Sequence, residues 1–212
     1  MWIIKLGGSL LGSPELVNWL AQLVKFGDGK VVIVPGGGLF ADAVRDAQLR
    51  SKVSDAVAHE LALIAMDQFG ILLAGMNPAL TTASSELEIA ERGWQHRGIV
   101  WLPSKMVLAD DTIPKNWQVT SDSLSAWLAN KLGAEQLILV KSKALPYQKN
   151  SSVSLQHLVE DALVDPQFEA FISHEKHEQT YQVWLVNKAD YTMFEQGYGL
   201  RKLEENGFLV NS

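Results

Sequence analysis

The chain has 212 residues, of which 47% are hydrophobic and 20% charged, so it can bury the core of a globular protein. Its net charge is −6, yet residues 1–150 carry 14 basic and 14 acidic side chains, whereas residues 151–212 carry 4 and 10. This distribution argues against a broad basic surface for nucleic acid. The absence of cysteine excludes disulfides, thiol nucleophiles and thiolate metal sites.

The first residues, Met1-Trp2-Ile3-Ile4-Lys5, lack the layout of a signal peptide. No apolar run approaches the roughly 18 residues that span a bilayer. We therefore expect a cytoplasmic protein with neither membrane nor nucleic-acid partners. The stretch 141–154 is the most linker-like, but strand signals follow it, so we expect residues 1–212 to form a single domain.

Short apolar runs typical of buried strands alternate along the chain with longer periodic segments typical of helices. Strands are predicted at 2–6, 31–34, 99–102, 137–140 and 183–186. Helices are predicted from Ser13 to Gly27, from near Leu39, from Ser54 to about Leu73, and from Thr120 to Gly133. Strands that are apolar on both faces indicate an α/β fold, an open and mostly parallel sheet in a three-layer αβα sandwich.

Helical periodicity also predicts which side chains face the core. In the second helix these are Phe40, Ala43, Val44 and Ala47, and in the third Val57, Leu61, Ile64 and Ala65. Three tryptophans in apolar patterns are predicted to be core residues, namely Trp19, Trp94 and Trp127. Two others, Trp101 and Trp117, are predicted to flank a cleft, where they could cover an aromatic ligand.

Two glycine clusters, Gly7-Gly8-Ser9 and Gly36-Gly37-Gly38, each follow a predicted strand and precede a helix. Backbone N–H groups in such a turn can approach an anion closely, and the helix dipole adds attraction. Neither cluster fits the P-loop or the dinucleotide-binding GxGxxG pattern, and either one alone could be only a tight turn. Both lie at the carboxyl ends of strands, where open parallel sheets bind ligands, and Lys5 adjoins the first.

Two further segments carry charges at the same predicted edge. Asp122, in Thr120-Ser121-Asp122-Ser123, could be merely a favourable acid at a helix N-terminus, or it could hold lysine ammoniums for a phosphoryl group. Lys141-Ser142-Lys143 directly follow a predicted strand. These residues could bind phosphate, or they could belong to a solvent-exposed loop.

Arg45 follows the second glycine cluster by about two helical turns and could bind an acceptor phosphate or carboxylate with two hydrogen bonds. An exposed arginine near Asp42 and Asp46 is the alternative. His59 is predicted to be a partly buried helix histidine. His174 and His177 could bind a metal weakly, but an acidic solvated connector is the favoured interpretation.

The segments KLGGSL (5–10), VIVPGGG (32–38) and TSDSLSAWLANKLGAEQLILVKS (120–142) together resemble the amino acid kinase superfamily. That superfamily includes acetylglutamate, aspartate, uridylate and isopentenyl phosphate kinases. The resemblance covers most of residues 1–142. Within the superfamily, SDAVAHELALIAMDQFG (54–70) and the SDS…LVKS combination are most similar to the small kinases of methanofuran-type cofactor synthesis. Those enzymes phosphorylate an aminomethylfuran-methyl phosphate to its diphosphate.

The resemblance implies phosphoryl transfer from ATP, with Mg²⁺ carried by the ATP rather than by a protein metal site. Lys5 and Asp122 would be catalytic: Lys5 would neutralise the transferring phosphoryl group, and Asp122 would hold Lys5. The phosphates of ATP would meet Gly7, Gly8, Ser9, Lys141 and Ser142, and the acceptor would meet Gly36, Gly37, Gly38 and Arg45. The acceptor side would comprise roughly residues 1–119, and the nucleotide side roughly residues 120–212.

The sequence also departs from the superfamily pattern. Many members carry VDGV after the nucleotide-side strand and a later glycine-rich segment with a second catalytic lysine, and this chain has neither. Lys141 or Lys143 could supply that charge. Alternatively, the acceptor could be uridylate, acetylglutamate or isopentenyl phosphate, or the protein could bind a nucleotide without catalysis. Because many relatives pair through the N-terminal half, a homo-oligomer is a further expectation.

Overall fold

The computed structural model of the chain describes residues 1–145, 151–172, 181–195 and 199–211. These residues form strands β1 (Trp2–Leu6), β2 (Val31–Pro35), β3 (Leu80–Ala83), β4 (Gly98–Trp101), β5 (Gln136–Lys141), β6 (Ser152–Ser154), β7 (Gln182–Asn187) and β8 (Phe208–Asn211). The strands make one sheet in the order β3-β4-β2-β1-β5-β7-β8-β6. Neighbouring strands in the described sheet are parallel except for the antiparallel pair β7–β8.

The helices are α1 (Pro14–Gly27), α2 (Gly38–Ser51), α3 (Asp55–Met76), α4 (Glu86–Trp94), α5 (Ser104–Leu108), α6 (Ser121–Leu132), α7 (Leu155–Glu160), α8 (Phe168–Ile172) and α9 (Leu200–Asn206). Short 3₁₀ helices cover Gly8–Leu10 and Lys188–Phe194. Proline at the first position and Glu15 in the first turn favour the start of α1. Gly133, with φ of +56°, ends α6 in the left-handed conformation.

The sheet buries apolar side chains on both faces because successive residues of a strand point to opposite sides. Ile3 of β1 belongs to an apolar cluster that includes Leu128 of α6 and Phe168 of α8. Its neighbour Ile4 belongs to a second cluster that includes Trp19 of α1. Helices therefore cover both faces, which confirms the predicted α/β class and the mostly parallel sheet.

The five predicted strands and the four predicted helices are all present, with boundaries shifted by a few residues. The strands that sequence reasoning missed, β3, β6 and β8, are all short, and two of them are weakly apolar. β3 has the sequence LTTA and β6 the sequence SVS, and polar residues in runs of three or four give no buried-strand signal. The predicted connector containing His174 and His177 lies outside the described residues, as do residues 146–150.

The predicted inward faces of two helices are wrong at most positions, although Phe40 of α2 packs against the core. In α2 the residue that is buried is Ala41, whereas Ala43 and Ala47 are exposed and Phe40 and Val44 are partly exposed. In α3, Ala65 is buried as predicted, but Val57, Leu61 and Ile64 are 40–44% exposed. The reason is that α3 is apolar on most of its circumference, so periodicity does not identify the buried side.

Two tryptophan predictions are also wrong. Trp94, at the end of α4, is 87% exposed rather than part of the core. Trp101 is fully buried and stacks on Trp127, with 5.9 Å between ring centroids, so it does not flank a cleft. Trp19 and Trp127 are buried as predicted.

Helix α3 is long and apolar enough to cross a membrane by length and composition, with a mean hydropathy of 1.5. This differs from the expectation that no apolar stretch is long enough, because polar residues interrupt the helix without making it polar overall. Of the most apolar 18-residue stretch of α3, 44% is buried inside the protein. Leu63, Met66, Phe69 and Leu73 belong to the core clusters. A core helix meets the same criteria, so α3 alone is weak evidence for a membrane span.

Candidate active site

Three charged side chains from three elements meet at the carboxyl edge of the central strands. Lys5 lies near the end of β1, Lys141 ends the neighbouring strand β5, and Asp122 lies in the first turn of α6. The Lys5 Nζ is 2.9 Å from Asp122 Oδ1. The Lys141 Nζ donates to both carboxylate oxygens, at 3.0 and 3.1 Å. We call these residues the Lys5–Asp122–Lys141 cluster.

All three residues of the cluster are buried, and burial competes with their mutual attraction. Burial alone would raise the pKa of Asp122, but the charges of Lys141 and Lys5 outweigh it and lower that pKa to about 2. Burial lowers the pKa of Lys141 to about 8, although the charge of Asp122 acts to raise it. Asp122 is therefore ionised and Lys141 mostly protonated at neutral pH. The two lysines and one aspartate carry a formal charge of +1, suited to an anion.

The two glycine clusters pack against each other beside these charges. A Cβ atom at Gly8 would lie 2.1 Å from the Cα of Gly38, and one at Gly36 would lie 2.6 Å from the backbone nitrogen of Gly8. The Gly36 N–H also donates to the carbonyl of Leu6 at 2.9 Å. Two backbones approach this closely only because both loops lack side chains at the contact. Gly38 begins α2 with φ of +53°.

Gly7, Ser9 and Ser142 border the lysine ammoniums. A Cβ atom at Gly7 would lie 3.7 Å from the Lys5 Nζ, so this glycine leaves that ammonium accessible from the loop. The hydroxyls of Ser9 and Ser142 share a hydrogen bond of 2.9 Å, which joins the first glycine loop to the end of β5. Lys143 is exposed, and its carbonyl accepts from Asn187 Nδ2 at 3.0 Å. The structure thus brings Lys141, and not Lys143, to Asp122.

A cleft of about 530 Å³ opens beside Lys5, bounded by both glycine loops, α2, α3 and the segment leading into α6. Arg45 and Trp117 line its outer part: the guanidinium carbon lies 4.4 Å from the Trp117 ring centroid, and Nη1 is 3.0 Å from Asp42. The indole N–H of Trp117 donates to Gln48 Oε1 at 2.7 Å. The cleft wall therefore combines a cation with a fixed aromatic face.

His59 of α3 also lines this cleft and is 5% exposed. The sequence predicted a partly buried histidine, but only the fold shows that it faces the cleft. Burial lowers the pKa of His59 below its ordinary value, so the imidazole is neutral at pH 7. The ring N–H of His59 donates to the backbone carbonyl of Asn116, so the other nitrogen of the neutral imidazole is an acceptor.

Sequence reasoning missed one buried carboxylate next to the site. Asp165 lies in the segment between α7 and α8, yet it accepts hydrogen bonds from Thr120 and Ser123 at the start of α6. The sequence offers no periodicity or motif that links residue 165 to residues 120–123.

Metal ligands are not part of this arrangement. Within the ranges that the structure describes, no group of three or more His, Asp or Glu side chains is placed to hold a metal ion. The candidate site instead presents two ammoniums, two hydroxyls and two glycine loops. Such a set can bind phosphate oxygens and neutralise charge that develops on them.

Comparisons with known proteins agree with this chemistry. A sequence model of the amino acid kinase family matches residues 1–152. A characterised relative, the (5-(aminomethyl)furan-3-yl)methyl phosphate kinase of Methanocaldococcus jannaschii, is 29% identical over 160 residues, which are 75% of this chain and 74% of the relative.

Solved structures show the same fold at low sequence identity. The uridylate kinase of Archaeoglobus fulgidus matches 99% of both chains with a TM-score of 0.70 and 17% identity. The UMP kinase of Ureaplasma parvum matches 100% of this chain and 98% of its own, with a TM-score of 0.67 and 14% identity. An isopentenyl phosphate kinase in a substrate complex matches 100% of both chains, with a TM-score of 0.60 and 10% identity.

Proposed function

The chain belongs to the amino acid kinase family and is a kinase, and from this premise we propose that it transfers the γ-phosphoryl group of MgATP to a small phosphate-bearing acceptor. The acceptor that we propose is an aminomethylfuran-methyl phosphate, which would become the diphosphate. The observation that carries the proposal is the buried Lys5–Asp122–Lys141 cluster between two glycine loops. Phosphoryl transfer is catalysed mainly by positioning and charge stabilisation, which such a cluster supplies.

In the proposed reaction an oxygen of the acceptor phosphate attacks the γ-phosphorus of ATP. A new P–O bond forms on one side while the bond to the β-phosphate oxygen breaks on the other, and ADP leaves with that electron pair. The attacking oxygen is already ionised, so the protein need not remove a proton from it. Lys5 neutralises charge on the transferring group, and Asp122 keeps the Lys5 ammonium in place.

We propose that Lys141 supplies the second positive charge of the site. In many family members a lysine later in the chain has this role. The Lys141 ammonium shares the Asp122 carboxylate with Lys5, whereas Lys143 is exposed. One carboxylate thus orients two ammoniums toward the same phosphate chain. This arrangement favours catalysis over nucleotide binding alone, because the cluster retains two positive charges despite the missing VDGV segment.

We propose a nucleotide side and an acceptor side of the site from the positions of the two glycine loops. We assign the ATP phosphates to Gly7, Gly8, Ser9, Lys141 and Ser142, with the nucleotide on the side of residues 120–212. We assign the acceptor to Gly36, Gly37, Gly38 and Arg45, all of which line the cleft. The start of α2 at Gly38 presents backbone N–H groups and the positive end of the helix dipole to that acceptor.

The lining of the cleft supports an acceptor that joins a phosphate to a small flat ring. Arg45 offers a cation, and Trp117 offers an aromatic face. The side chains of Leu63 and Met66 form an apolar part of the cleft wall. The acceptor named for the M. jannaschii relative, a furan methyl phosphate, has this chemistry. Uridylate, isopentenyl phosphate and acetylglutamate are the competing acceptors.

An ADP-release screen tests the proposal. The purified protein with MgATP is given the furan methyl phosphate, uridylate, isopentenyl phosphate or acetylglutamate in turn. We expect the highest kcat/KM with the furan methyl phosphate. ADP release with uridylate but not with the furan methyl phosphate would refute the proposed acceptor. Calorimetric binding of ATP without turnover on any acceptor would instead favour a non-catalytic nucleotide-binding protein.

We further propose that the protein forms a homo-oligomer through α3. Val57, Leu61, Ile64 and Ile71 recur at spacings of four, three and seven residues and are 40–57% exposed, which places a stripe of apolar side chains along one face of the helix, interrupted by the exposed Gln68. The one charged residue between Leu61 and Met76 is Asp67, whose carboxylate accepts from the Ser104 backbone N–H at 3.2 Å. A mainly apolar face of this kind, with the exposed Glu60 at its edge, is complementary to itself across a twofold axis, so a second copy is the partner that it fits.

A further inference from the structure

Asp165 makes an unusual set of contacts for a residue between two short helices. It is 7% exposed, and its Oδ2 accepts from the Thr120 backbone N–H at 3.0 Å, the Thr120 hydroxyl at 2.7 Å and the Ser123 N–H at 3.0 Å. Its other oxygen accepts from the Ser123 hydroxyl. A buried carboxylate with four donors is held firmly, because charge-assisted hydrogen bonds are the strong ones.

These contacts replace the usual way of capping a helix. The first N–H groups of a helix lack partners inside it, and the N-cap side chain normally accepts from one of them. Thr120 occupies the N-cap position of α6, but its hydroxyl donates to Asp165 instead. The cap of α6 is therefore supplied by a residue more than forty positions later. Asp122 lies between the two residues, Thr120 and Ser123, that Asp165 anchors.

We propose that Asp165 is a positioning residue for the Lys5–Asp122–Lys141 cluster. It fixes the first turn of α6 so that the Asp122 carboxylate reaches both ammoniums, and its negative charge stabilises the Lys141 ammonium. The inference rests on the proposed function, because the cluster matters only if it acts on phosphate. Asp165 acts through Asp122 and Lys141 and need not touch a substrate.

The electrostatic part of this role is visible at Lys141. Burial and the charge of Lys5 lower the pKa of Lys141, whereas the charges of Asp122 and Asp165 raise it. Removing the charge of Asp165 should therefore make Lys141 lose its proton at a lower pH than in the wild type.

Two substitutions separate the two parts of the role. Asp165→Asn keeps the size of the side chain and an acceptor oxygen for the α6 N–H groups but removes the charge. Asp165→Ala removes both. For Asp165→Asn we expect kcat near the wild-type value below pH 7 and an alkaline loss of activity that begins at lower pH. For Asp165→Ala we expect kcat to fall by up to about 10²-fold, with a smaller change in the KM for ATP, because misplaced groups lower the rate of transfer itself.

The direct measurement is a titration of the Lys141 Cε signal in ¹³C-lysine-labelled protein, assigned by its absence in Lys141→Arg. We expect the midpoint to shift to lower pH in Asp165→Asn. Ser154→Ala is the matched control, since it removes an ordinary cap from α7, where the Ser154 hydroxyl accepts from the His157 N–H at 3.4 Å. That variant should lower stability without moving the Lys141 midpoint.

An unchanged Lys141 midpoint in Asp165→Asn, or a wild-type kcat in Asp165→Ala, would overturn the inference. If Asp165→Ala fails to fold, the titration of Asp165→Asn decides the question alone. The titration needs no turnover, so it is independent of the proposed function. If the wild-type protein phosphorylates no acceptor, the proposed function is refuted. The role of Asp165 is decided separately, by whether the Lys141 titration midpoint shifts in Asp165→Asn.

Discussion

At the scale of single residues, one carboxylate determines the arrangement of the candidate site. Asp122 is buried and shared by two ammoniums that come from neighbouring strands. Removing one partner of a buried ion pair leaves an uncompensated charge, which costs several kcal/mol in typical cases. The cluster is therefore sensitive to each of its members, both in folding and in the proposed transfer.

The first prediction concerns the two lysines of the cluster, Lys5 near the end of β1 and Lys141 at the end of β5. Lys5→Met and Lys141→Met should each lower kcat on the acceptor by on the order of 10²–10³, because each removes a positive charge that faces the transferring phosphoryl group. Lys143→Met is the matched control and should keep wild-type activity, since Lys143 is exposed and away from Asp122. Circular dichroism verifies that the variants are folded. Loss of activity in Lys143→Met alone would show that the wrong lysine had been assigned.

The second prediction is an acid-dependent loss of stability. The pKa of Asp122 is about 2 in the folded protein and 3.8 in its ordinary state. Its ionised form therefore stabilises the fold above about pH 4, and this contribution disappears as the pH falls toward 2. The shift corresponds to about 2 kcal/mol. Urea unfolding between pH 6 and pH 2 measures it, and Lys5→Met should show a shallower pH dependence. An identical slope in that variant would contradict the coupling of Lys5 to Asp122.

Sequence reasoning identified some of these residues and missed others for a physical reason. Lys5 and Asp122 each occupy a local pattern, a strand end before glycines and a helix start. Asp165 has no local signal, because its role depends on where the chain returns after β5. His59 was expected to be buried, but the side to which it points depends on how α3 packs.

At the scale of elements, the two glycine loops form a single wall because β1 and β2 are adjacent and parallel. Their carboxyl ends lie side by side, so Gly7-Gly8 and Gly36-Gly37-Gly38 meet. A side chain at this contact would separate the loops and move the backbone that lines the cleft. The glycines are thus required by the close approach of two backbones.

The third prediction tests that contact. Gly8→Ala places a Cβ atom 2.1 Å from the Cα of Gly38, so the loops must move apart. We expect a loss of stability of roughly 1–3 kcal/mol from overpacking and a raised KM for ATP, measured by thermal unfolding and steady-state kinetics. Gly199→Ala is the control, because a Cβ there meets nothing within 4 Å. Wild-type kinetics in Gly8→Ala would show that the loops do not have to touch.

The long apolar strands of the sheet centre could be predicted, whereas the polar strand β3 and the four-residue strand β8 were missed. The central strands β1, β2 and β5 are continuous apolar runs, so their existence followed from the sequence. β3 pairs through Thr81 and Thr82, which carry no such signal. The inward face of α3 was predicted wrongly because both sides of that helix are apolar: one joins the core, and the other is the exposed stripe.

At the scale of the whole molecule, the charge distribution suits a compact anionic substrate. The net charge is −6, yet Lys5, Lys141 and Arg45 all lie within residues 1–150, where the charges balance. The acidic excess belongs to residues 151–212. A small site with a local positive charge can bind MgATP through a few close contacts, whereas a polyanion would require a broad basic surface.

The fourth prediction concerns self-association through the α3 stripe. Ile64→Glu introduces a charge at the centre of that stripe and should convert a dimer to a monomer, because an unpaired charge is costly to bury in an interface. Leu87→Glu is the control, since Leu87 lies on α4 and is 80% exposed. Light scattering at two protein concentrations gives the masses. A wild-type monomer at both concentrations would rule out the interface.

The most direct test of the central claim is a ³¹P NMR spectrum of the protein incubated with MgATP and the furan methyl phosphate. Our account predicts that the γ-phosphate signal of ATP declines while ADP and a new diphosphate signal grow together, and that Asp122→Asn slows this change by on the order of 10²-fold or more. Transfer at the wild-type rate in a folded Asp122→Asn variant would contradict the claim that the Lys5–Asp122–Lys141 cluster performs the reaction.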